Sequence, residues 1–203
     1  MPNALTEPAL GLSSLPARER ILRTAHDLFY REGIRATGID RVIAESGVTK
    51  VTFYRHFPSK NDLVLAFLEY RHVLWMDWFR AALQRHGGKL QGLPTVLGEW
   101  FRQPVFRGCA FINSVGELGG TEPQVREIAQ RHKQDMTEAI ASLLPPSRRR
   151  KQDALTIALA VDGAIVRAQT DAAPEPALRS LSRLLRALAT DMEAASANEG
   201  TDQ

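Results

Sequence analysis

Residues 46–60, SGVTKVTFYRHFPSK, set two threonines, two lysines and a Tyr-Arg-His triplet on one brief segment punctuated by glycine and proline. Hydroxyls and an imidazole on short stems are donors suited to phosphate oxygens. Lys50 has the length to reach a guanine edge, and the Val51 methyls match the thymine methyl of the major groove. Lys60, with the free amides that open the next helix, makes a further phosphate site. Phe53 and Phe57, one turn apart, face the other way and anchor the segment. This is the chemistry of nucleic-acid recognition, not of bond making. The same composition also suits a polar helix facing water, and spacing alone leaves both readings open.

Catalytic groups are not gathered anywhere. The five histidines, His26, His56, His72, His86 and His132, show no metal-ligand spacing such as H-x-x-x-H. There is no phosphate-cradling glycine loop and no nucleophile with a base beside it. The sequence therefore assigns no catalytic residue, no metal ligand and no cofactor. A helical enzyme is the weakest alternative. A partner-binding helical module would fit the second half of the chain but leaves Tyr54, His56 and Lys60 unexplained.

The elements that must hold the 46–60 segment are helical. Ile21, Ala25, Leu28 and Phe29 recur at the spacing of an amphipathic helix that Pro16 opens and Gly33 ends. IDRVIAES, beginning at Ile39, forms a short second helix with Val42 and Ile43 inward, closed by Gly47. Thr49 caps a third, which ends near Phe57 because Pro58 disfavours helical geometry before it. Two short helices across a glycine turn make a helix-turn-helix. Ser59 and Asp62 form a capping box for a long fourth helix that runs to Gly87-Gly88. From Ser59 to Trp75 that helix is about 24 Å of rigid rod. Further helices are expected at about 91–103, 108–118, 122–143, 148–170 and 175–195. No strand pattern appears, so the fold class is all-α. Four segments follow: a flexible arm (1–14), a helix-turn-helix DNA-binding domain (15–60), a second helical domain (61–195) and a disordered tail (196–203).

Charge and composition agree with this division. Residues 1–60 carry nine Lys/Arg against six Asp/Glu, whereas residues 61–203 carry seventeen of each. The positive excess thus lies where a polyanion would dock. The chain is 44% hydrophobic, enough for a core. Its longest mostly apolar run, 154–166, is too short to cross a bilayer. The first residues show neither a positive leader nor an apolar core, and Cys109 has no second cysteine to pair with. A cytoplasmic protein is expected.

Residues 18–71 closely resemble the DNA-binding domain of the TetR family of transcriptional regulators. The matching stretches are RILRTAHDLFYREGIRATGIDRVIAESGV and TKVTFYRHFPSKNDLVLAFL, with Tyr54, His56, Phe57 and Lys60 the most specific part. The resemblance implies a homodimer of all-helical subunits, a double-stranded DNA operator and a small-molecule effector, with 61–195 as the effector-binding and dimerisation domain and repression as the default. It places Lys50, Val51 and Tyr54 at bases and Thr37, Thr49, Thr52, Arg55, His56 and Lys60 at the DNA backbone. Three positions depart from the commonest pattern. Asp40-Arg41 reverses the usual order of charges, Val51 replaces a frequent glycine, and Arg55 replaces a frequent aromatic.

The family builds its effector cavity on the fourth helix and the two that follow. That implies pocket roles for Trp75, Trp78, Phe79, Trp100, Phe101, Phe106 and Phe111, although aromatic residues at helical spacing also make plain core. RGCAFINSVGEL places Cys109, Ile112, Asn113 and Gly116 on one helical face. It resembles a Gly-Cys-x-x-x-Asn stretch of a family subset with cysteine-based oxidant or electrophile responses. Cys109 is then a candidate sensor with Arg107 lowering its pKa, or an inert core thiol. Asn113 is a candidate ligand hydrogen-bonder. Leu178, Leu181, Leu185 and Leu188 keep heptad-like spacing. The preceding helix is apolar nearly all round, with Ala158, Val161 and Ile165 on one side. A twofold four-helix bundle would cover both helices.

Overall fold

The breaks signalled by glycine, proline and capping side chains begin or end helices in the computed structural model, which describes residues 12–199, with side chains from 13 to 192. Among the described residues there are α-helices and no strands. They are α1 Ala17–Glu32, α2 Ile39–Ser46, α3 Lys50–His56, α4 Lys60–Arg85, α5 Leu93–Phe101, α6 Ala110–Leu118, α7 Pro123–Ala141, α8 Arg150–Thr170 and α9 Glu175–Glu199. None is long and apolar enough to cross a membrane.

Two expectations about the ends change. Leu12–Ser14 forms a 3-10 turn inside the expected arm, and α9 runs to Glu199, into the expected tail. Residues 193–199, EAASANE, are rich in alanine, the best helix former, which favours continuing the helix. Residues 1–11 and 200–203, the remainder of both segments, lie outside the described residues.

The chain divides into two compact units, one holding everything up to Trp78 together with Cys109–His132, the other Phe79–Gly108 with Lys133 onward. The division falls inside α4 and inside α7. In the first unit α1 packs on α2 and α3. Ile21, Ala25, Leu28 and Phe29 are buried, as are Val42, Phe53 and Phe57. Phe29 meets Phe67 of α4 edge-on at 5.5 Å, which ties the first turns of α4 to the helix-turn-helix. Truncating Phe53, fully enclosed, would cost about 3–5 kcal/mol. Gly47, at φ +64°, makes the left-handed turn between α2 and α3 that a side chain would resist.

The capping box holds α4 in place. The Ser59 amide donates to Asp62 Oδ2 (2.9 Å) and the Asp62 amide to Ser59 Oγ (3.1 Å). In the second unit α5 packs on α8 and α9, and α8 lies along α9.

Candidate nucleic-acid interface

A seven-residue helix can bury only one stripe, and α3 buries Phe53, with Phe57 just beyond its end. Everything else on it turns outward. Val51 is 70% exposed and Tyr54 43% exposed. Lys50 and Arg55 are exposed beside them, and Thr52 and His56 are half-buried on the flanks. An apolar valine left in water gains nothing for the isolated chain, whereas a groove-facing helix uses such methyls.

Thr49 caps α3, its Oγ1 accepting from the Thr52 amide at 3.2 Å. The two threonine hydroxyls also lie 2.9 Å apart, so one donates to the other. Whichever donates, one hydroxyl proton remains for a phosphate oxygen. Lys60, the first residue of α4, is half-buried. Burial lowers its pKa from the ordinary lysine value, and the Glu117 carboxylate partly offsets this.

The reversed Asp40-Arg41 pair is put to a definite use. Arg41 binds Glu45 (2.7 Å) and makes two bonds to Glu32, running along the protein's own surface. Asp40 instead faces Lys50, with 3.6 Å between ammonium and carboxylate.

Thr37 is a correction. It was expected at the DNA backbone, but it is fully buried and its hydroxyl donates to the Gly33 carbonyl at 2.8 Å. Its side chain therefore serves the α1–α2 turn rather than a phosphate.

The residues expected at an effector fall into two groups. In the first unit, Trp75 and Trp78 are buried with ring centroids 6.0 Å apart. Phe111 stacks on His132 at 3.7 Å, and His132 meets the Trp75 edge at 5.0 Å. In the second unit, Phe79 is buried and Trp100, Phe101 and Phe106 pack on one another at 5.1–5.7 Å.

Cys109 is buried as the residue preceding α6, and the main-chain N–H of half-buried Asn113 donates to the Cys109 carbonyl at 3.0 Å. Ile112, expected on the same inward face, is exposed, because α6 turns Phe111 and Ser114 inward instead. The Arg107 guanidinium donates to the Pro104 and Phe106 carbonyls. Arg71 is fully buried, with its guanidinium over the Tyr30 ring at 4.1 Å and 3.3 Å from His26 Nε2. Sequence reasoning missed Arg71, since a single arginine on a long helix carries no local signal that it points inward.

The dimer seam is corrected too. Ala158, Val161, Ile165, Leu178, Leu181 and Leu185 are buried within the single chain, and Leu188 is half-buried. These side chains pack α8 and α9 against their own unit. The apolar groups left in water are Leu155, Leu159 and Val166 on α8 and Leu184 on α9. A groove of about 310 Å³ runs between the two helices, lined by Ala160, Gly163, Ala164, Leu181 and Leu184 among others.

Residues 21–67 match the family model described as "Bacterial regulatory proteins, tetR family". SCO4454, a TetR-family transcriptional regulator from Streptomyces coelicolor, is 31% identical, with 86% of this chain and 95% of that one covered and a TM-score of 0.75. A TetR transcriptional regulator from Chloroflexus aurantiacus is 26% identical over 86% of this chain and 94% of its own, with a TM-score of 0.72. An uncharacterized HTH-type transcriptional regulator in the lacX 3' region of Lactococcus lactis subsp. lactis is 26% identical over 133 residues, 63% of this chain and 67% of that protein. Two further curated regulators match over only 18% and 29% of their own lengths.

Proposed function

The chain belongs to the TetR family of DNA-binding transcriptional regulators, which are not enzymes, and from that premise we propose that it is a repressor that binds a palindromic operator as a homodimer and leaves it on binding a small molecule. The observation that carries this reading is the outward face of α3. Lys50, Val51 and Tyr54 stand in water there over a buried Phe53. Lys50 donates to a guanine, Val51 meets a thymine methyl, and Thr49, Thr52, Arg55, His56 and Lys60 take phosphates. The exposed Leu155, Leu159, Val166 and Leu184 support pairing of α8 and α9 with their twofold mates. The two recognition helices then read half-sites about 34 Å apart. The place of action on this reading is the cytoplasm, where the operator is.

The effector side rests on the buried aromatics Trp75, Trp78 and Phe111 in one unit, and on buried Phe79, Trp100 and Phe101 with half-buried Phe106 in the other, with Asn113 as the hydrogen-bonding group. A second reading is a thiol switch at Cys109, the buried cysteine that directly precedes α6.

Footprinting on the DNA upstream of the protein's own gene tests the regulator reading, and a thermal-shift ligand screen tests the effector, since a ligand bound only by the folded state raises its stability. A protected palindrome released by a hit from the screen is the expected result. Absence of any protected sequence would sink the reading.

A further inference from the structure

Glu117, on the last turn of α6, accepts hydrogen bonds from two successive main-chain amides of the turn between α1 and α2, Ile34 N at 3.1 Å and Arg35 N at 2.7 Å. These donors lie between the end of α1 and the start of α2, so no helical carbonyl receives them. Gly33 opens the turn at φ +93°, and a Cβ there would stand 3.2 Å from Glu117 Oε1. Ile34 is buried beneath the turn, and Thr37 closes it by donating to the Gly33 carbonyl at 2.8 Å. The Glu117 charge also acts on Lys60, the first residue of α4. One carboxylate thus organises the entry to α2 from a residue 82 positions away in sequence.

We propose that Glu117 is a positioning residue for DNA binding: its carboxylate holds the 33–38 turn, and through it α2 and α3, in the register that the operator requires. This inference rests on the DNA-binding reading above. It also assigns a direction to signalling within this unit. Cys109, which α6 follows, and Glu117 are about 12 Å apart along one rigid helix. A group seated at the Cys109 and Asn113 end that shifts α6 draws the carboxylate off the amides. Hydrogen bonds of 2.7–3.1 Å do not survive a displacement of about an ångström.

Glu117→Gln is the test, in the full-length chain. The carboxamide keeps the shape but turns its own N–H2 toward one of the two donors. Operator affinity should fall roughly ten-fold or more, because hydrogen bonds to a charged acceptor are the strong ones. Affinity for scrambled DNA of equal length should stay within about two-fold, since phosphate binding needs less register. Equal losses on both DNAs, or no loss on either, overturn the proposal. Amide exchange on the unmodified protein gives a second measurement. Ile34 and Arg35 should exchange slowly in the free protein and faster in Glu117→Gln. Fast exchange in the unmodified protein overturns the proposal whatever the variant does. If the unmodified protein prefers no DNA sequence, it is the regulator reading that fails, while the exchange rates still decide whether Glu117 holds the turn.

Discussion

The Lys50 ammonium, at the first residue of α3, stands 3.6 Å from the Asp40 carboxylate of α2. Both side chains are largely exposed, at 67% and 89%, so the pair adds little to stability, about 0–1 kcal/mol. Its effect is to hold a long cation at the α2 side of the start of α3. Lys50→Ala should relax base preference at one operator position per half-site, costing about 1–3 kcal/mol there. Asp40→Ala should strengthen binding to all sequences, because a carboxylate near phosphates is removed. A panel of operator variants reads both effects, and an unchanged ranking with Lys50→Ala would remove Lys50 from the base contacts.

His56→Ala and Lys60→Ala should weaken binding to all DNA sequences alike, since phosphates carry no sequence information. Lys60→Ala should also reduce the slope of log K against log salt by about one. Fluorescence anisotropy over a salt series measures it. A slope equal to that of the unmodified protein would mean Lys60 meets no phosphate.

Leu159→Glu with Val166→Glu should dissociate the dimer while leaving helix content unchanged, since both side chains already face water in the single chain. Leu181→Glu should instead unfold the second unit, because Leu181 is buried and a lone buried charge is costly. Sedimentation and circular dichroism separate the two results. A dimer that persists in the double variant would place the interface elsewhere.

Cys109→Ser decides between the two triggers. If a thiol switch operates, the substitution should abolish release from the operator by oxidants or electrophiles. If a reversible ligand operates, release by that ligand should survive it. Anisotropy with labelled operator, before and after each reagent, reads the difference.

Stability should depend on pH through His26. Burial between the Phe67 and Tyr70 rings holds its pKa below the ordinary 6.5, the Arg71 charge adds to this, and Asp27 opposes it. The folded state thus binds fewer protons than the unfolded one below that value. The contribution of neutral His26 is therefore full above pH 6.5 and lost as pH falls from there toward the lower native pKa. Denaturant midpoints should drop between about pH 7.5 and about pH 5.5, and less so in His26→Gln. Equal pH dependence in the two proteins would rule His26 out as the source.

Much of the architecture is local chemistry and was open to reading in one dimension. The Ser59-Asp62 box, the Gly47 turn, the Thr49 cap and the inward run from Ile21 to Phe29 each depend on residues within a few positions of one another. The same holds for the outward face of α3, since Phe53 and Phe57 fix which way a short helix turns.

Tertiary structure decided the rest, wherever a side chain had more than one possible partner. Heptad spacing in α9 specifies an apolar seam but not whose surface fills it. The fold gave Leu181 and Leu185 to the chain's own core, leaving Leu159 and Val166 in water. Spacing put Ile112 with Cys109, but the packing of Phe111 on His132 set the rotation of α6. Family resemblance put Thr37 at the DNA backbone, yet its side chain is buried beside a turn whose amides are held by Glu117, a partner 82 residues from Arg35. Sequence determined the helices and their local faces because those interactions span one or two turns. It did not determine the places of Glu117 and Arg71, because each of those depends on which distant helix arrives alongside.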